Sequence, residues 1–297
     1  MLIALLVPII LATVMFLVVL AKAAFTNRAV PTLETLGLGG IVCFFDTLGI
    51  GSFAPTTAWL KFRRLVSDRL IPPTILVGLT IAAVEESIIF LIRLGVKVDP
   101  VLLVGCVLAC LMGGLLGAPL VHRTRVWIVQ LVVAIGLLAA AAAYGMANLN
   151  MFPAGGTASS LSPALTILAI AANFIFGVLL NYGVGNYAPT LVVLSLMGMD
   201  PRLCFPIMAG AAALMGAGAG IRHINTGNLD LKVVIGLTLG GIPTVLAAAY
   251  IVVNLPIVPL RWLVLIVVLY AATIMFRSAI LGRREHHAEP ATAALAD

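Results

Sequence analysis

Charge is scarce in this chain. Asp, Glu, Lys and Arg make up only 9% of its residues, against a hydrophobic share of 62% and a mean hydropathy of +1.20. A soluble globular domain carries about 25% charged residues, so that class is excluded. The formal net charge of +6 is no nucleic-acid signal, because the basic residues sit mostly in short stretches between apolar segments, where they orient a chain in a bilayer. Cysteine is also sparse. Cys43, Cys106, Cys110 and Cys204 all fall in or beside apolar segments and read as small apolar side chains. Cys106 and Cys110 share a helix face, but no His or acid joins them at ligand spacing, so neither a metal nor another cofactor is expected. A basic stretch before the first apolar run is missing as well. Residues 2–21 carry no charge, enough to cross the hydrocarbon layer as a helix, and a retained first helix is expected rather than a cleaved signal.

What the chain has is apolar runs, at about 2–24, 30–45, 53–60, 71–93, 101–121, 126–147, 161–181, 187–199, 203–221, 232–253 and 259–281. The runs at 53–60 and 187–199 are too short to span, and each directly follows a glycine pair. Gly49-Ile50-Gly51-Ser52-Phe53-Ala54-Pro55-Thr56 returns as Gly183-Val184-Gly185-Asn186-Tyr187-Ala188-Pro189-Thr190. Both glycines, the alanine, the proline and the threonine are identical. The match continues: Asp68-Arg69-Leu70 lines up with Asp200-Pro201-Arg202, Gly95 to Asp99 with Gly227 to Asp230, and Trp127 with Trp262.

An internal duplication follows, and charge gives its sense. If each broken segment dips in and returns to its own side, one face receives Lys22, Arg28, Lys61, Arg63, Arg64, Arg69, Arg123, Arg125, Arg222, Lys232, Arg277, Arg283 and Arg284. The other face keeps Arg93, Lys97, Arg202 and Arg261. The richer face belongs to the cytoplasm, and equivalent loops of the two halves fall on opposite sides. The expected architecture is therefore an all-α polytopic membrane protein, an inverted repeat of about four membrane segments each with broken, re-entrant helices, plus an extra N-terminal helix. Its parts are the first helix (1–26), first repeat (27–147), linker (148–160), second repeat (161–282) and a disordered cytoplasmic tail (283–297). The expected location is the cell (inner) membrane, with the C-terminus cytoplasmic and the N-terminus outside.

Matched breaks in two halves are the best sequence pointer to a transport site. Gly49, Gly51, Gly183 and Gly185 let the backbone turn and let a ligand approach its amides. Ser52 and Asn186 stand where N-caps belong, and Pro55 and Pro189 fit a first helical turn. Each phrase then presents a helix N-terminus to the membrane interior, which favours an anion. Thr56, Thr57, Thr190 and Tyr187 are candidate contacts, with Thr back-bonding to its own helix as the alternative for the threonines.

The two Gly-x-Gly breaks, each closing a membrane helix and followed by a proline, resemble the sulfite exporter TauE/SafE family, also called the four-toluene sulfonate uptake permease family. The stretch Phe44-Phe45-Asp46-Thr47-Leu48-Gly49-Ile50-Gly51-Ser52-Phe53-Ala54 is the most specific part of a resemblance covering nearly the whole chain. It implies an inverted-repeat permease for sulfite, sulfoacetate or other sulfonates. Ser52 and Asn186 stand where members show a third glycine. Val77-Gly78-Leu79 and Ala209-Gly210-Ala211 stand where a Gly-Thr-Ser is expected.

Three acids lie inside apolar segments: Asp46, Glu85 and Glu86. Intramembrane carboxyls are costly and usually functional, which makes them candidate proton carriers for a coupled anion movement. At most one of the adjacent glutamates can face a given cavity, since neighbours on a helix diverge by about 100°. The expected partners are a small anionic substrate and the lipid bilayer, with no nucleic acid, and the chain is compatible with a homodimer. Competing readings are a cation or metal carrier built on the three acids and a non-transporting membrane subunit. An enzyme is not expected, because Gly-Ile-Gly-Ser-Phe lacks the Gly-x-Ser-x-Gly setting of a nucleophile.

Overall fold

A computed structural model describes residues 2–49, 51–67, 70–117, 125–149, 156–180 and 185–293. Among these, the chain forms eleven α-helices: α1 (Leu2–Thr26), α2 (Leu33–Thr47), α3 (Phe53–Arg63), α4 (Ile71–Arg93), α5 (Pro100–Gly117), α6 (Val126–Asn148), α7 (Pro163–Leu180), α8 (Tyr187–Leu196), α9 (Phe205–Thr226), α10 (Leu231–Asn254) and α11 (Ile257–Ala293). Seven of them are long and apolar enough to cross a membrane. Many large apolar side chains are exposed, including Phe25, Phe62, Leu33 and Tyr250, as suits contact with lipid.

Acidic residues cap the starts of α5 and α10. The Asp99 carboxylate accepts the Leu102 amide at 2.9 Å, and Asp230 accepts that of Val233 at 3.0 Å. The two capping residues are equivalents in the duplicated sequence. At α2, Thr32 and Thr35 form a reciprocal capping box, which satisfies two amides that the helix start leaves open.

The broken segments are hairpins. Glu34, in the first turn of α2, accepts hydrogen bonds from Trp59 Nε1 at 3.1 Å and Arg63 Nε at 2.8 Å, near the end of α3. Both limbs of the first break therefore reach the same face. In the second half Ala158, ahead of α7, pairs through its backbone with Met199, just after α8, so that segment also returns to its own side. The second face carries the α4–α5 turn too, because the Asp99 amide donates to Ser159 O. Asp230, the counterpart of Asp99, lies at the opposite face, where its amide donates to Thr74 Oγ1 at the start of α4. Equivalent turns thus sit on opposite sides, as charge placement had indicated.

The halves interlock. α2 packs along α10 and α7 along α5, each against a helix of the other half, while α4 packs on α9 and α6 on α11. α1 stands outside this scheme and lies on α9, with Phe16 fully buried. The stretch from 283, expected as a tail, continues α11 as a helix as far as Ala293. Its Arg, Glu and Ala residues favour extension of an already nucleated helix, against Pro290, which lacks an amide to donate.

Candidate functional site

The first break owes its shape to two glycines in the left-handed region, Gly49 at φ 93° and Gly51 at φ 87°. Other residues pay about 1–2 kcal/mol there. The turn ends α2 at Thr47 and starts α3 at Phe53, and the Gly49 amide donates to Asp46 O at 2.7 Å. Gly49 is walled by α8 and α9: a Cβ added there would stand 3.4 Å from Leu191 and 3.7 Å from Phe205. Asp46 is buried, and Ser52, at the start of α3, lies beside its carboxyl. An acidic group of the protein thus already stands near the N-terminus of α3.

At the second break Gly183 lies outside the described residues, as do Asn181, Tyr182 and Val184. Gly185 and Asn186 lead directly into α8. Asn186 Nδ2 donates to Met208 O of α9 at 3.2 Å, and Thr190 Oγ1 donates to Asn173 Oδ1 of α7 at 3.1 Å. Both polar pairs are buried.

One residue joins the two breaks. Glu86 of α4 is wholly buried. Its Oε1 lies 2.7 Å from Thr47 Oγ1 at the end of α2, and its Oε2 accepts from the Tyr187 hydroxyl, also at 2.7 Å, at the first residue of α8. The carboxyls of Asp46 and Glu85 are within electrostatic reach of it. Glu85 points away, as the helical angle requires. It is only partly buried, although its Oε2 is enclosed without a hydrogen-bond partner.

The expected capping roles of Ser52 and Asn186 do not hold. Both residues have helical backbone angles and make no side-chain cap bond. For Asn186 the reason is a better partner, a carbonyl of α9, while Ser52 lies beside the Asp46 carboxyl. Thr56 takes the back-bonding alternative, donating to Ser52 O at 2.6 Å, so its one proton is used within α3. Pro55 and Pro189 do occupy the first turns of α3 and α8.

Sequence reasoning assigned no role to Thr47, and it missed the link between Glu86 and Tyr187. The signal for the second was present. Where the first phrase has Phe53, the second has Tyr187, so a hydroxyl is gained at a position otherwise kept. Thr47 had no such mark, because a threonine beside a break reads as another back-bonding residue.

No protein-family model, no curated protein and no solved structure matches the chain. The geometry therefore carries the functional reading. Among the described residues, no three His, Cys, Asp or Glu side chains converge as a metal's ligands would. What the site offers is a polar patch deep in apolar surroundings, made of two helix starts, hydroxyls, an amide and two buried acids. Such a patch is costly in a bilayer and marks a candidate site.

Proposed function

We propose that the protein is a secondary transporter for a small anion, working by alternating access in the cell membrane with its C-terminus in the cytoplasm. The observation that carries this reading is the meeting of two glycine breaks, one from each inversely related half, at a single buried carboxyl. Inverted repeats with discontinuous helices at the bilayer centre are the architecture of alternating access, in which one bundle rocks against the other about a fixed site.

Support for an anion comes from the first break, where the Asp46 carboxyl stands beside Ser52 at the start of α3. Leu180 stands at the equivalent place before the second break. The start of α8 is thus a matching electrostatic environment to which Leu180 supplies no carboxyl, and a substrate anion fits it. The resemblance to the sulfite exporter family narrows the substrate to sulfite, sulfoacetate or a related sulfonate. The positive-inside distribution of Arg and Lys supports the cytoplasmic C-terminus.

Thermal unfolding of the purified protein with a panel of ions tests the reading. A ligand that binds only the folded state raises the melting temperature by mass action, by about 2.7 kcal/mol of stability at a hundredfold excess over Kd. Stabilisation by sulfite or a sulfonate is expected. Stabilisation by divalent metals, with every oxyanion inert, would replace the anion reading with a cation carrier using Asp46, Glu85 and Glu86.

A further inference from the structure

The hydrogen bonds around Glu86 can be counted proton by proton. Thr47 Oγ1 lies 2.8 Å from Cys43 O and 2.7 Å from Glu86 Oε1. A hydroxyl has one proton to give, and a carbonyl oxygen can only accept. If the Thr47 proton goes to Cys43, the contact with Glu86 needs a proton from the other side, which only a protonated carboxyl can provide. Tyr187 then gives its own proton to Oε2 at 2.7 Å. The neutral acid satisfies every partner at once: Oε1–H to Thr47, Thr47 to Cys43, and Tyr187 to Oε2.

The ionised form fits poorly. A carboxylate here would leave one of the two Thr47 contacts without a proton, and the site offers it no cation. From α2 it meets Asp46 and the Cys43 thiol, from α8 the Tyr187 phenol, and along α4 itself Glu85. The helices packed around α4 carry cations only near their ends: Lys22 on α1, Lys61 and Arg63 on α3, Arg222 and His223 on α9, and Lys232 on α10. Asp46 differs from Glu86, because the Ser52 beside it has both an amide and a hydroxyl able to donate.

We infer that the coupling ion of this transporter is a proton and that Glu86 carries it, sitting here as the neutral acid that ties the two breaks together. The inference rests on the transport function proposed above. Departure of the proton leaves a carboxylate facing Asp46, which must draw water or pull Thr47 away from Cys43. Either change loosens the join between α2 and α8 and opens the site. The proton is taken up again when the breaks close, so its passage is locked to the cycle.

Infrared difference spectroscopy of the intact protein at neutral pH, wild type against Glu86→Gln, reads the proton directly. The glutamine keeps the same pattern, with an N–H to Thr47 and an oxygen accepting from Tyr187. The expected result is a carboxylic-acid carbonyl band in the wild type that the variant loses; no such band means that Glu86 is ionised and overturns the inference. Should Glu86→Gln fail to fold, Tyr187→Phe serves instead. Loss of its hydrogen bond to the acid carbonyl is expected to move the band to higher frequency, and an unmoved band overturns the assignment. Wild-type vesicles supply the coupling test, with sulfoacetate as probe and an inward proton gradient expected to accelerate uptake. Uptake indifferent to the gradient overturns coupling while leaving anion transport standing. An acid band without uptake of any tested anion overturns the function itself, and the coupling with it.

Discussion

Gly51 separates backbone need from packing at the first break. Its φ of 87° suits glycine, yet an added Cβ would meet nothing within 4 Å. Gly51→Ala should therefore cost about 1–2 kcal/mol through conformation alone, read as a lower melting temperature in detergent. The two threonines of the repeated phrase are expected to part company. Thr190→Val leaves the buried Asn173 Oδ1 without its donor, at a cost of about 1–3 kcal/mol. Thr56 bonds only to its own helix at Ser52 O, so Thr56→Val should cost less than about 1 kcal/mol. Equal losses in the same unfolding assay would contradict these assignments. At this scale the sequence was half legible. The glycines, prolines and acids announced themselves by being foreign to an apolar run. The Glu86–Tyr187 bond spans residues far apart in the chain, and its partners are named only once the helices are placed.

Helix pairing across the halves depends on close approach. A Cβ on Gly177 of α7 would run into Cys110 O of α5, and one on Gly240 of α10 into Leu36 O of α2. Small residues at such crossings let membrane helices gain van der Waals contact where no hydrophobic drive separates them from lipid. Gly177→Val is expected to cost about 3 kcal/mol by overpacking. Gly136→Val on α6, where the space is open, should be close to neutral. The share of monodisperse protein recovered in detergent and its melting temperature check both. Helix positions were readable from hydropathy, since the eleven apolar runs correspond to the eleven helices. The pairing of α2 with α10 and α7 with α5 was not, because almost every face of these helices is apolar and periodicity marks no seam.

For the molecule as a whole, the two hairpin closures and the opposed Asp99 and Asp230 turns fix which ends share a face. Single cysteines can test it, because all four native cysteines are buried. Arg64→Cys and Asn228→Cys should label with an impermeant maleimide from one side of sealed vesicles, and Lys97→Cys and Ser159→Cys from the other. Labelling of Arg64→Cys and Asn27→Cys, which flank α2 and α3, from opposite sides would mean that the first broken segment crosses the bilayer rather than returning.

The interlocked halves also set a schedule for biosynthesis. A ribosome delivers the chain from its N-terminus at about 5–20 residues per second, and seven more helices separate α2 from its partner α10. Throughout that interval α2, with Asp46 beside its exposed turn, waits in the bilayer without the surface it will finally bury. Neither repeat is expected to mature alone, and an insertion factor able to shelter a half-finished polar hairpin from lipid would be needed until α10 arrives.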